Sequence, residues 1–196
     1  MIFAIALITV YIAAFFIPNG VEEFALNPEK SSEFWRFITY PFVHLDIMHL
    51  VENIIGLVLI TLIAIELKTA FSDFSSAYLS SGFLSILPVW IIMPFIALGA
   101  SNAIFGGFGM ISQETKKYNI NGAAVAAIIG VLIFASSLAS LFSYGIGSEQ
   151  FNIDFKQSLS HLSGLIFGIG FFFLIRKIKP ALAKRKRYAL REAVYG

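Results

Sequence analysis

Ser101, His161, His49 and Asn53 are the residues of this chain whose types suit acyl chemistry, and each lies in an apolar stretch. A serine hydroxyl becomes a nucleophile when an imidazole takes its proton, and side-chain N–H donors can hold the oxygen that turns negative when a carbonyl is attacked. Ser101 sits in LGASNAIFGGFG, Leu98 to Gly109, fenced by small residues at the mouth of an apolar helix. A hydroxyl in such a place ordinarily packs or bonds back to its own backbone. The chemical reading therefore depends on its companions. Few polar groups interrupt the apolar runs: His49, Glu52 and Asn53 in the second, Ser101 opening the fourth, and His161 in the sixth. Such groups are costly in lipid and mark functional positions.

The elements that position these residues are membrane spans. The 196-residue chain is 58% hydrophobic and only 13% charged, with a mean hydropathy of +0.81, far from the roughly 25% charge of a soluble domain. Apolar runs at 1–18, 46–66, 69–87, 101–115, 122–145 and 158–177 predict six helices in an all-α, polytopic bundle. Asp73 marks the start of the third, which several serines dilute, and Pro88 and Pro94 predict a buried or re-entrant loop feeding the fourth. The expected organisation is a transmembrane domain over 1–177 and a basic tail over 178–196. Met1 to Pro18 lacks a basic leader and a small-residue cleavage site, so it reads as a retained first span.

Charge sets the orientation. Eleven Lys and Arg fall on one side, eight of them in the tail, against Lys30, Arg36 and Lys156 on the other. The positive-inside rule then places both termini in the cytoplasm and the long first loop outside. The KRKR run of the tail reads as lying on anionic lipid, with no nucleic-acid partner implied. With no cysteine, thiolate catalysis and cysteine-ligated metal are excluded.

Depth brings the polar residues together. Ser101 precedes Glu114 by 13 residues, His161 precedes Arg176 by 15 and His49 precedes Glu66 by 17. At 1.5 Å per residue all three lie about 20–25 Å above the cytoplasmic ends. The fourth helix is too short to cross a core of about 30 Å, so its N-terminus, with unsatisfied N–H groups, begins inside the membrane. Gly99, Ala103 and Gly107 form a small face on the fourth helix, and Gly164 and Gly168 below His161 offer a matching face on the sixth. Two such faces let backbones approach closely enough to bring imidazole to hydroxyl. His49 and Asn53, four apart, share a face and suit either an oxyanion or hydrogen bonds to neighbouring helices.

These residues resemble the rhomboid family of intramembrane serine proteases. Glu33, Trp35 and Arg36 match its E-x-W-R loop signature; His44, His49 and Asn53 match H-x-x-x-x-H-x-x-x-N. Gly99, Ala100 and Ser101 match G-x-S, and His161, Gly164 and Gly168 match the last-helix motif. The resemblance implies a six-helix bundle and a Ser-His dyad without a third carboxylate. Ser101 would be the nucleophile and His161 the general base. His49, Asn53 and the backbone N–H of Ser101 would form the oxyanion hole, and Phe105 would pack on the histidine. It implies an endopeptidase without metal or organic cofactor, acting within or next to the transmembrane segments of membrane proteins. The compact six-helix form points to a prokaryotic cell membrane.

Two positions depart from the pattern. Asn102 stands where the family usually has glycine, and a larger side chain there either narrows the site or adds a donor near the oxyanion. Glu52, one turn from His49, is outside the motif; pairing with His44, His49 or another helix, or a neutral protonated state, all fit it. Asp154 falls in the outer loop by this reading and is not assigned to a triad. Two other classes stay in view. One is a non-catalytic protein of the same fold that binds and escorts or retains membrane proteins, toward which Asn102 leans. The other is a transporter with a metal or proton site at His44, His49, Glu52 and His161, against which stand the missing H-E-x-x-H helix and the lack of an inverted repeat.

Overall fold

A computed structural model describes residues 1–195, with side chains described through Pro180. Ten α-helices follow in chain order: α1 (Ile2–Phe15), α2 (Gly20–Phe24), α3 (Arg36–Thr39), α4 (Ile47–Glu66), α5 (Phe71–Leu84), α6 (Leu87–Ile92), α7 (Ser101–Glu114), α8 (Gly122–Ile133), α9 (Ala135–Tyr144) and α10 (Glu149–Tyr195). Among the described residues the extended pairing is a single antiparallel bridge, Leu26 with Ala97. The chain is an all-α membrane bundle. Among the described residues four stretches are long and apolar enough to cross a membrane: Ile47–Glu66, Phe71–Ile92, Gly122–Tyr144 and Glu149–Pro180. Ile2–Phe15 and Ser101–Glu114, the other two expected spans, are shorter at 14 residues each.

Local chemistry fixes where these helices begin. The Asp46 carboxylate accepts the N–H of His49 at 2.9 Å and caps α4, while Asn121 accepts from Ala123 and Ala124 and caps α8. Pro88 sits in the first turn of α6, where its missing N–H costs nothing. Ser148 accepts the N–H of Phe151 and starts α10 nine residues before the apolar run that predicted it at 158. Asp154 is consequently inside a helix and not in an outer loop. The polar opening turns of α10 pack on α9, where Ser137 bonds Ser158 at 2.6 Å and Ser140 donates to the Asp154 carboxylate. The basic tail, 178–196, falls mostly on residues whose side chains lie outside the described ones.

The short helix α7 is the axis of the molecule, with 11 of its 14 residues buried. Its length, about 20 Å, is less than the thickness of a 30 Å membrane core. The other helices pack around it at distances set by its small residues. A Cβ on Gly168 of α10 would overlap the carbonyl of Gly106, and one on Gly164 would lie 2.7 Å from the carbonyl of Asn102. Only glycine allows that approach. The expected matching face of α7 needs correction, however. Asn102, Gly106 and Gly109 meet α10, whereas Ala103 faces Gly82 of α5 and Gly107 faces Ile60, Phe74 and Tyr78. Gly99 lies outside the helix altogether. At about 100° per residue, a face inferred from four-residue spacing alone is free to be misassigned by one position. A hydrophobic cluster of Leu7, Tyr11, Leu57, Ile60, Phe74, Tyr78 and Ile104 closes the opposite side.

Candidate active site

The loop between α1 and α4 braces the approach to α7. Arg36, 1% exposed, donates to the carbonyls of Glu22 and Ala25 at 2.9 and 2.8 Å and pairs with Glu33 at 2.6 Å. A buried guanidinium held in this way ties distant turns of the loop together. Trp35 is more than half exposed beside it. Leu26 and Ala97 exchange both backbone hydrogen bonds at 2.9 Å, and the Gly99 N–H donates to the Tyr40 carbonyl at 2.9 Å. The Tyr40 hydroxyl in turn donates to the Gly82 carbonyl. The loop thus clamps the segment that delivers Ser101.

Gly99 turns the chain with φ +91°, a conformation that disfavours a side chain, and a Cβ there would lie 2.6 Å from His49 Nε2. Both the turn and the space require glycine. Ser101 follows as the first residue of α7, whose N-terminus has no side-chain cap. Its Oγ lies 2.8 Å from His161 Nε2. The Phe105 ring is stacked on the same imidazole, with centroids 4.7 Å apart and planes at 28°. An imidazole held on a hydroxyl beside free helix N–H groups can take the hydroxyl proton and leave the oxygen facing a positive dipole end.

His49 and Asn53 stand across from this pair. Nδ1 of His49 lies 3.5 Å from the Leu45 backbone N, and its Nε2 faces Gly99. Asn53 is buried and its amide N donates to the His49 carbonyl at 2.8 Å. Two openings flank the serine. One, of about 260 Å³, includes Tyr40, Leu45, Phe95 and Gly99; the other, of about 360 Å³, includes Glu52, Asn53, Gly56 and Phe105. His49, Ser101, Gln157 and His161 line both. Ser101 is therefore reached from two sides.

The departures resolve unequally. Glu52 is exposed on the rim of the larger opening and has no ion pair among the described residues. Asn102, 4% exposed, is engaged sideways: its amide N donates to Ser85 Oγ at 3.3 Å and its amide O accepts from Ser160 at 2.9 Å. It acts as an interhelical bridge, its amide engaged by Ser85 and Ser160, while it also borders the smaller opening beside Ser101. His44 is buried between the rings of Tyr11 and His49, and burial pushes its imidazole down to about 4. Among the described residues no three His, Asp or Glu side chains converge as metal ligands. Sequence reasoning missed Tyr40, Gln157, Ser85 and Ser160. Gln157 precedes His161 by four residues on one helix face, which was a usable signal; no spacing pointed to Ser85.

Comparison with known proteins agrees in one direction. Residues 31–178 match the family model of the rhomboid domain. The chain is 31% identical over 152 residues to RHOMBOID-like protein 6, mitochondrial, of Arabidopsis thaliana, an alignment covering 75% of this chain and 46% of that protein. It is 32% identical over 148 residues to RHOMBOID-like protein 1 of the same plant, covering 74% and 36%. With Rhomboid protease GluP of Bacillus subtilis (strain 168) the identity is 27% over 139 residues, covering 69% and 25%. The chain thus spans less than half the length of these relatives.

Proposed function

Because the chain belongs to the rhomboid family, we propose that it is an intramembrane serine endopeptidase that cleaves membrane proteins within or next to their transmembrane segments. The observation that carries this reading is the 2.8 Å contact between Ser101 Oγ and His161 Nε2 under the Phe105 ring. Ser101 attacks the scissile carbonyl while its proton passes to His161. His161 then gives that proton to the departing amine, and the C–N bond breaks to leave an acyl-enzyme. Water, entering by the openings beside Ser101, repeats the sequence to release the acid. His49, Asn53 and the Ser101 backbone N–H donate to the oxyanion. The mechanism draws on no metal or organic cofactor.

The bundle crosses the membrane six times in this reading, with α1 and α7 completing the four long spans. Lys117, Arg176 and Lys179 pair with Glu114 and Asp73 where α7 ends and α5 begins. That end, with both termini, faces the cytoplasm. The substrate is a membrane-spanning segment that must unwind to present a peptide bond. The Asn102 amide, whose position leaned toward a non-catalytic binding role, bonds Ser85 and Ser160.

The test is cleavage in proteoliposomes of a panel of single-span proteins bearing small residues near the outer interface. The parent yields a defined cut and Ser101→Ala yields none, at equal amounts of folded protein. Equal cutting by both would remove Ser101 from the mechanism.

A further inference from the structure

The dyad contact has a neighbour that runs beside it. Ser101 and Asn102 are consecutive at the start of α7, and Ser160 and His161 are consecutive on α10. His161 Nε2 meets Ser101 Oγ at 2.8 Å, and Ser160 Oγ donates to Asn102 Oδ1 at 2.9 Å. The same two helices are therefore joined twice at one level, by adjacent pairs of residues. Rotation of either helix about its own axis must lengthen one bond or the other.

The second bond belongs to a chain with a single sense. Ser160 donates to the Asn102 amide oxygen, the amide nitrogen donates to Ser85 Oγ, and Ser85 donates to the Ser81 carbonyl at 2.6 Å. Ser163, three residues beyond Ser160 on α10, donates to the Ser85 carbonyl at 2.5 Å. Asn102, Ser85 and Ser160 are 4%, 1% and 3% exposed. Asn102 and Ser160 border the smaller opening beside Ser101, and each has its polar partner in place, so a rotation that left these atoms unpaired is disfavoured. The glycine contacts of Gly164 and Gly168 with α7 fix how close the helices lie and which faces meet, and the Asn102 bridge adds polar partners that select the rotation within that contact.

We propose that Asn102 is a positioning residue for the reaction: through Ser160 and Ser85 it sets the rotation of α10 against α7 and so holds the His161 imidazole on the Ser101 hydroxyl. The inference rests on the protease reading and deepens it. A dyad without a carboxylate behind its histidine needs its orientation from elsewhere. Phe105 fixes the plane of the imidazole, and the Asn102 bridge fixes where that plane stands.

The experiment is the rate of covalent labelling of the detergent-purified full chain by a fluorophosphonate, in which Ser101 Oγ attacks phosphorus and fluoride leaves. The parent, Asn102→Ala, Asn102→Gly, Ser160→Ala and the Asn102→Ala/Ser160→Ala double variant are compared at saturating and half-saturating probe. Each single change is expected to slow the maximal rate about tenfold, the worth of one buried hydrogen bond, with the half-saturating concentration unchanged. The double variant slows no further than the slower single one, because both act on the same link. The final labelled fraction stays that of the parent. A merely structural role would do the reverse, lowering the fraction while the folded remainder reacts at the parental rate, and that result overturns the inference. So do parental rates in all variants, or losses that multiply in the double. If Asn102→Ala fails to fold, Ser160→Ala decides alone, since it removes the bond and spares the asparagine. A folded parent that takes no label overturns the protease reading and this inference together, whereas a labelled parent with unaffected variants overturns only the inference.

Discussion

The Phe105 ring lies stacked on the His161 imidazole, 4.7 Å between centroids and 28° between planes, with Phe105 one turn beyond the serine that the imidazole touches. One helix thus supplies both the hydroxyl and the ring on which the imidazole lies. Phe105→Ala removes that ring, and a stacked pair of this kind is worth about 1 kcal/mol, so the cleavage rate is expected to fall about five- to tenfold. Phe105→Tyr keeps the ring and is expected within about twofold of the parent. Turnover of a single-span substrate in proteoliposomes measures both.

His49 and Asn53 are expected to act on the oxyanion and not on the nucleophile. Removing one donor costs about 100- to 1,000-fold. Asn53→Ala is expected to lower the cleavage rate by that amount while leaving detectable product in long incubations. Complete loss, equal to that of Ser101→Ala, would instead assign Asn53 a structural role through its bond to the His49 carbonyl.

Close approach of α7 and α10 gives a contrast between two glycines of one helix. A side chain at Gly168 meets the Gly106 carbonyl, whereas nothing lies within 4 Å of a Cβ at Gly170. Gly168→Val is expected to cost about 2 kcal/mol or more and to lower the melting temperature in detergent by about 5 °C or more. Gly170→Ala is expected to leave it unchanged or slightly raised, as alanine favours the helix. Thermal unfolding of the two variants checks the pair.

His44 ties stability to pH. Its imidazole is held neutral by burial, first, and by the neighbouring His49, with a folded value of about 4 against 6.5 when free. Between those values the unfolded chain binds the extra proton, so the contribution of His44 is complete above pH 6.5 and is lost as pH falls toward 4. His44→Phe keeps an aromatic ring beside Tyr11 and His49. Its melting temperature is expected to fall less than the parent's between pH 7 and pH 5. Parallel curves would show that His44 titrates alike in both states.

Much of the site was legible because membrane chemistry leaves few polar residues to choose among. Ser101 and His161 stood out in apolar runs, and counting residues to the charged helix ends placed them at one depth. Rotation about a helix axis leaves no trace in such counts. The face of α7 that meets α10 was accordingly misread by one position, from Asn102 and Gly106 to Ala103 and Gly107. The start of α10 was missed for another reason: its first turns are polar and pack on the serines of α9, so the apolar run begins only after the helix does. Asn102 looked like an obstruction because a single chain does not reveal the two distant serines that take up its amide.

Fluorophosphonate labelling followed by mass spectrometry of the modified residue tests the central claim most directly. The detergent-purified parent is expected to carry a single phosphonyl group on Ser101, absent from Ser101→Ala and from His161→Ala although both remain folded. A folded parent without the adduct, or labelling that persists in His161→Ala at the parental rate, would contradict a serine activated by that histidine.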